Sequence, residues 1–481
     1  PTRRSSDLVN TAAYGDDVWA KAGTYTATTN PVLTMKRGVN LYGGFAGTET
    51  EREQRDWEDN ETIIDGEGAR RCAIGAEDVR LDGFIIENGY TTYNGGGLYN
   101  HNASSVLENC SFKNNTADDG GGLYIGYNSE ALINNCIFTG NSASYGSGIY
   151  ASSVSISNCT FTNNVASMYG GGIYIYDSGS TITNSIFSNN TASREGGGIY
   201  GDILVTDCVF EGNTAEYRGG GMVTRGTSPA KNCIFANNTV NRYGGGIYLS
   251  RSAPIINCTF SNNTASWDGG GVYADGSYAD NPITAVSCKF LNNSSERGGG
   301  IYVNGSYTDV DFIITQCIFN ANAAHNNGGG IYLDGYHHYS PVTISNCIFS
   351  ENSSLSTGGA IYSYFANSTI TNCTFANNHT YGVGSSIYGD SGATSVTNSI
   401  LWNDTAAINS HLYGDFTITY SCIQGGYFGE GNIATDPLFI YGNENLVFLH
   451  ENSPCIDSGT LTGSPATDIL GNPRPIGTGV D

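Results

Sequence analysis

An Asn-Cys-x-Phe core recurs from one end of the chain to the other, and nothing else in the sequence limits the fold as strongly. Its clearest copy is Asn135-Cys136-Ile137-Phe138-Thr139-Gly140-Asn141, followed by Gly146-Ser147-Gly148-Ile149-Tyr150. Aligned copies place Cys at 110, 136, 159, 208, 233, 258, 288, 317, 347 and 373, with Ser185 and Ser399 in the same slot and Cys422 in a degenerate last copy. Spacings of 23 to 30 residues mark a solenoid, whose repeats cannot bury an apolar face alone and stack on their neighbours.

Parity inside the repeat selects the kind of solenoid. The residue after Cys is Ser111, Thr160, Lys289 or Ile137, so it faces solvent, and Cys and Phe share the inner face of a strand. A second apolar row (Leu107, Ile133, Ile156, Ile182, Val205, Ile255, Ile314, Ile344, Ile370, Val396) lies three residues before Cys, and three is an odd step. Both rows point inward only if the chain turns a sharp corner between them. The residue there is mostly Asn (Asn109, Asn135, Asn158, Asn184, Asn232, Asn257, Asn346, Asn372), which tolerates left-handed backbone. A further Asn five residues after Cys, a small residue and a Gly-rich Ile-Tyr stretch make a second corner and a third strand. The expectation is a right-handed parallel β-helix, all-β, with three short strands per coil, about 13 to 16 coils and a cap at each end.

The chain divides accordingly. Residues 1–8 read as a non-native stub, 9–80 as an N-terminal cap with the first coils, 81–425 as the repeat helix, and 426–481 as a C-terminal segment covering the last open edge. The charged run from Glu49 to Asn60 reads as a short covering helix or a loop. The 13 Cys are odd in number, and a slot that accepts Ser asks for a small buried residue, so stacked free thiols are expected. A formal charge of −24 argues against nucleic acid and anionic membranes as partners. No apolar run approaches the roughly 20 residues that span a bilayer.

The blocks GTYTATTN, VNLYGGFAGTETEREQRDW, NCxFxxNxAxxxGGGIY, DPLF and SPCIDSGT..TDILGNPRP resemble bacterial secreted right-handed β-helix proteins of the pectate-lyase superfamily. They are most like the cell-surface group whose C-terminus carries an exchangeable anchor, and the repeat is also similar to that of polymorphic outer-membrane proteins. The resemblance implies export, an extracellular or cell-surface location, and adhesion or assembly rather than catalysis. In that group the tail continues into an anchoring segment, so stopping at Val480-Asp481 leaves the anchor outside this sequence. The alternative is a polysaccharide lyase or glycoside hydrolase of the same fold. Such an enzyme needs clustered carboxylates with a basic residue, or paired carboxylates at glycosidase spacing. Asp118-Asp119 and the single acids before glycine triplets, Glu195 and Asp268, read instead as solvated corners, and no catalytic residue is assigned.

Three sets of residues remain as candidate sites. The Tyr after Ile in the glycine-rich strand recurs at Tyr99, Tyr124, Tyr150, Tyr174, Tyr200, Tyr248, Tyr273, Tyr302, Tyr332, Tyr362 and Tyr388, which predicts an outward, exposed aromatic stripe; its bland alternative is a row of rings shielding the narrow glycine face. Three consecutive longer repeats insert turns that predict a raised patch of Tyr278, Asp280, Tyr307, Asp309, Asp311, Tyr336, His338 and Tyr339. A glycan or a protein on a surface, or further copies of the chain in a polymer, would be the partner. No cofactor or metal is expected, calcium being the one ion those carboxylates could hold weakly. Sequons at Asn114, Asn189, Asn237, Asn262, Asn292, Asn304, Asn352, Asn367 and Asn378 are candidate glycosylation sites that the repeat itself generates.

Overall fold

The computed structural model describes residues 9–306, 310–336, 341–407, 411–442 and 447–474. The chain forms two compact units, Pro1–Val223 and Thr224–Asp481, and each is built from parallel strands stacked coil on coil. In the first unit Ala131–Asn134, Val154–Ser157 and Ser180–Thr183 belong to an aliphatic sheet in which Ile133, Ile156 and Ile182 stand in register. Ile137–Thr139, Thr160–Thr162 and Ile186–Ser188 form a phenylalanine sheet. Leu123–Ile125, Ile149–Ala151 and Ile173–Ile175 form a tyrosine sheet. The second unit repeats all three, for example in Phe312–Thr315, Ile318–Asn320 and Ile331–Asp334.

A fourth ladder, which the three-strand expectation lacked, lies between the phenylalanine and tyrosine sheets. Its strands shrink to pairs such as Thr191–Ala192 and Thr264–Ala265, with the Ala turned inward. Two residues suffice because the backbone has already been turned by the Asn beside them. The corner Asn are left-handed as their chemistry requires: φ is 51° at Asn135, 54° at Asn158 and 53° at Asn346.

The inner Asn works differently. Asn141 Nδ2 donates to Phe112 O at 3.0 Å and to Asn164 Oδ1 at 3.0 Å, while its own Oδ1 accepts from the backbone N and Nδ2 of Asn115 at 3.0 Å. The ladder satisfies corner groups that no strand can reach, which is why a wholly buried amide is stable there. Beneath it Phe138, Phe161 and Phe187 stack at 4.8 and 4.7 Å, and Phe290, Phe319 and Phe349 at 4.7 and 4.8 Å. The glycine triplet reflects crowding between coils: a Cβ at Gly172 would stand 2.7 Å from Gly198 O, and Gly170 has φ +67°.

All 13 thiols are free and buried. In the repeat slot Cys136 Sγ donates to Asn134 O at 3.3 Å, and Ser185 Oγ makes the same bond to Thr183 O at 2.8 Å. Burial pushes Cys136 and Cys288 above the ordinary thiol value. One assignment moves by a residue. Thr397 pairs with Thr419 and Ile400 with Cys422, so Ser421, bonded to Thr419 O at 2.9 Å, fills the last slot and Cys422 does not. The sequence Tyr420-Ser421-Cys422-Ile423 offered two small residues, and the left-handed corner at Tyr420 (φ 51°) decides between them.

The ends depart from the repeat. Strands Asp17–Lys21 and Asn40–Phe45 begin the aliphatic sheet, and the charged run holds only a 3-10 turn at Arg52–Gln54. Arg55 reaches under it to Asp82 Oδ2 at 2.7 Å. At the other end Ser421 N donates to Asn432 Oδ1 and Ile423 N to Ile433 O, covering the edge of the last coil. Residues beyond 455 then run back along the corner of the phenylalanine sheet: Thr460 meets Asn398, Ser464 meets Asn372, Thr467 meets Asn346 and Asp468 meets Gln316.

Candidate functional site

Along the tyrosine sheet Ile points inward and Tyr outward, but the outward rings are not the exposed stripe the sequence suggested. Tyr124, Tyr200, Tyr248, Tyr273, Tyr302, Tyr332 and Tyr362 are buried, and Tyr150 and Tyr174 half-buried. The coil rise of about 4.8 Å brings successive rings face to face, at 5.1 Å for Tyr124 and Tyr150 and 5.2 Å for Tyr150 and Tyr174. Each ring hides its neighbour's faces and leaves an edge.

What borders this row differs between the units. In Pro1–Val223 further tyrosines rise beside it. Tyr127, 62% exposed, lies edge-on to Tyr176 at 5.0 Å, and Tyr176 leans on Tyr150 at 5.2 Å. On the opposite side Tyr145 stands at 73° to Tyr174, and Tyr169 packs on Tyr200 at 4.8 Å. Tyr145 and Tyr169 also stack on each other at 5.6 Å and, like Tyr176, are half-buried, so of the four it is Tyr127 that is open to solvent. Asp119 pairs in register with Tyr145 at the rim; burial, with the charge of Asp118 added, lifts its carboxyl to about 6.

In Thr224–Asp481 aromatic neighbours recur, with Tyr243 tilted on Tyr273 at 4.9 Å and the 46% exposed Trp267 edge-on to Tyr243, but here acids also hold the row's hydroxyls. Strands lengthen by one residue, as in Val272–Asp275, Ile301–Asn304 and Ile331–Asp334, and align Asp275, Asn304 and Asp334. Tyr248 OH donates to Asp275 Oδ2 at 2.5 Å and Tyr302 OH to Asp334 Oδ2 at 2.7 Å. Asp275 Oδ1 also takes Ser277 N at 3.1 Å and Asn304 Nδ2 at 3.1 Å. Beside them Arg297 binds Asp268 through two bonds of 2.8 and 2.9 Å and lies over the Tyr302 and Tyr332 rings at 5.0 and 5.2 Å. Burial, then the Asp334 charge, holds the Tyr302 hydroxyl well above its ordinary value.

The reading of Glu195 and Asp268 as solvated corners is therefore corrected. The residue before each glycine triplet forms its own row, in which Glu195 pairs with Arg218 and the buried Asp268 with Arg297. Applying the coil register to that position in the sequence would have brought these charges together. Of the loop patch, Asp280 is exposed, Asp311 is exposed at the start of Phe312–Thr315, and Tyr336 stacks on Tyr364 at 5.8 Å. Tyr307, Asp309, His338 and Tyr339, and the Tyr278 side chain, lie outside the described residues. Among the described residues no group of three metal-ligating side chains comes together.

The sequons also divide. Asn114, Asn189, Asn237, Asn262, Asn292 and Asn367 are exposed and Asn304 half-buried. Asn352 and Asn378 belong to the inner ladder, fully enclosed and bonded to Phe319 O and Phe349 O at 2.9 Å. A glycan on either would displace the ladder, so both are withdrawn as acceptors in the folded chain.

The family described as right handed beta helix region matches residues 38–180, 149–319 and 299–453. No curated protein matches the chain. Solved structures similar to it include two β-helix proteins. The A-module of the mannuronan C-5 epimerase AlgE4 from Azotobacter vinelandii shares 15% identity, with 90% of this chain and 94% of that one covered and a TM-score of 0.28. PfbA, a surface adhesin of Streptococcus pneumoniae, shares 13% identity over 93% of this chain and 94% of that one, with a TM-score of 0.23.

Proposed function

The chain belongs to the right-handed β-helix family, and from that premise we propose that it is an exported, non-enzymatic binding protein of adhesin type whose open tyrosine face takes a surface glycan. One observation carries this reading: in Pro1–Val223 the 62% exposed Tyr127 and the half-buried Tyr145, Tyr169 and Tyr176 add aromatic surface on both sides of the stacked row. A sugar ring packs its apolar face on such a platform. The exported, surface-bound setting is part of the proposal and rests on the resemblance of the sequence blocks; no helix among the described residues is long and apolar enough to cross a membrane. Binding needs no cofactor in this account, so a chelator should leave it unchanged.

The enzymatic alternative has one group in its favour. Asp119, raised to about 6 at the rim of the aromatic face, is the kind of poised carboxyl that acid catalysis on a sugar chain uses. A single assay separates the two readings. The full chain is presented to panels of uronate-containing and neutral polysaccharides, and both retention and new reducing ends or unsaturated uronates are measured. Retention without turnover, lost in a Tyr127→Ala/Tyr176→Ala variant, is expected. Turnover that Asp119→Asn abolishes would replace the binding reading with the enzymatic one.

A further inference from the structure

The position after the Cys slot forms an outward row on the phenylalanine sheet, where Ile318, Ile348, Thr374, Ile400 and, in the last coil, Cys422 follow one another in register. Cys422 stands in this outward row because Ser421 has taken the inner slot. It is nevertheless buried, since the segment that returns over the coils covers it and brings Cys455, also buried, onto the same face. The two cysteines line one cavity of about 310 Å³ together with Phe439, Phe448 and Ile456.

This pair differs from the ladder thiols. In the ladder a sulfur is tied to its own coil: Cys159 Sγ donates to Ser157 O at 3.1 Å, Cys258 Sγ to Ile256 O at 3.4 Å and Cys347 Sγ to Ser345 O at 3.2 Å. Register also sets neighbouring slots one coil rise apart, about 4.8 Å, beyond the roughly 3.5–4.5 Å between Cβ atoms that a disulfide accepts. Cys422 Sγ instead donates across the cap to Thr435 O at 3.2 Å and meets the Cys455 sulfur. Cys455 comes from outside the coil stack, so no register holds these two at coil spacing. The remaining cysteine outside the slot, Cys72, has its Sγ bonded to Glu87 O at 3.1 Å.

The pair is chemically asymmetric. The Cys422 thiol set against it holds Cys455 below the ordinary thiol value, whereas the same contact and burial push Cys422 well above it. Cys455 is thus the nucleophile of the two. Among the described residues no third ligand joins them, and two thiols alone do not make a metal site.

We propose that Cys422 and Cys455 close into a disulfide that clasps the returning segment to the last coil, by exchange with a low-molecular-weight disulfide. The Cys455 thiolate attacks one sulfur of that oxidant and breaks its S–S bond, forming a mixed disulfide and releasing the first half as a thiolate. Cys422 then gives up its proton and attacks Cys455 Sγ, expelling the second half. Two electrons pass from the cysteines to the oxidant, and the two cysteine protons end on the released thiols. The clasp fixes the root of a segment otherwise held by scattered hydrogen bonds, among them Asn398 Nδ2 to Thr460 O at 2.7 Å, Asn346 Nδ2 to Thr467 O at 2.8 Å and Gln316 Nε2 to Asp468 O at 3.3 Å.

The reduced full chain is incubated with 2-hydroxyethyl disulfide, alkylated under denaturation and mapped without reduction by mass spectrometry. Peptides joined through Cys422 and Cys455 are expected, with two of the 13 thiols lost to alkylation and the ladder cysteines alkylated in full. Hydrogen exchange of residues 456–474 should slow about tenfold on oxidation and recover with dithiothreitol. Cys422→Ser and Cys455→Ser should each abolish the slowing and leave the circular dichroism unchanged. Links confined to ladder cysteines, a mixed disulfide on Cys455 that Cys422 never resolves, a native chain that stays unlinked, or a link that leaves exchange unchanged would each overturn the proposal.

Discussion

The tyrosine row of Pro1–Val223 and that of Thr224–Asp481 are built by one repeat and both have aromatic neighbours, yet only in the second do aligned carboxylates take the row's hydroxyls. Around Tyr150 and Tyr174 the neighbours are the half-buried Tyr145 and Tyr176, with the exposed Tyr127 edge-on to Tyr176. Around Tyr302 they are Asp334, Asp268 and Arg297, which occupy the hydroxyl and cover the ring. One added residue per strand, ending in Asp or Asn, gives the row's hydroxyls fixed partners. The scaffold leaves this choice free because the row's stacking does not depend on what lies outside it.

The largest expected effect is a control that the comparison should not touch. Phe138→Ala and Phe319→Ala each remove a wholly buried ring and should cost about 3–5 kcal/mol, equally in both units, read by denaturant unfolding. Unequal costs would place the difference between the units in the core rather than on the tyrosine face. Next, Arg297→Ala strands the buried Asp268. Losing one member of a buried pair costs about 3–5 kcal/mol, and the 37% exposure of the Arg297 side chain brings the expectation down to roughly 2–3 kcal/mol. Arg194→Ala in the open unit, where the guanidinium only brushes Tyr169 OH at 3.4 Å, should stay within about 0.5 kcal/mol.

The inner ladder supplies a test with a pH sign. Asp404 replaces Asn at the ladder's end, takes Asn378 N and Nδ2 at 2.6 and 2.9 Å, and is lifted by burial to about 7. A raised acid is stabilising when protonated: its contribution is complete below the unfolded value near 4, falls as pH rises, and is gone above about 7. Asp404→Asn should therefore stabilise the chain by roughly 2–4 kcal/mol at pH 8 and by little at pH 4, seen as a flattened stability profile between those values. Smallest is Tyr302→Phe, which leaves Asp334 short of a buried donor at a cost of about 1–2 kcal/mol. Tyr150→Phe in the open face should change stability by less than about 0.5 kcal/mol.

Period, parity and corners were legible because each repeats one residue per coil. The Asn-Cys-x-Phe spacing alone requires the left-handed turn found at Asn135. The fourth ladder was not, since a strand such as Thr191–Ala192 carries one inward Ala and no alternation to detect. Nor was the sealing of the tyrosines: Asp268 and Arg297 are 29 residues apart, and each looks isolated until the register is applied to the position before the glycine triplet. The returning C-terminal segment binds through Thr460 and Thr467 backbone groups, which leave no trace in side-chain pattern.

Tyrosine footprinting of the native chain by limited iodination, mapped by mass spectrometry, tests the contrast most directly. Tyr127, 62% exposed, should be modified early and be protected by a retained glycan, while Tyr273, Tyr302 and Tyr332 stay unmodified until the chain unfolds. Early modification of Tyr302 alongside Tyr127, or glycan protection confined to residues 248–364, would contradict the account.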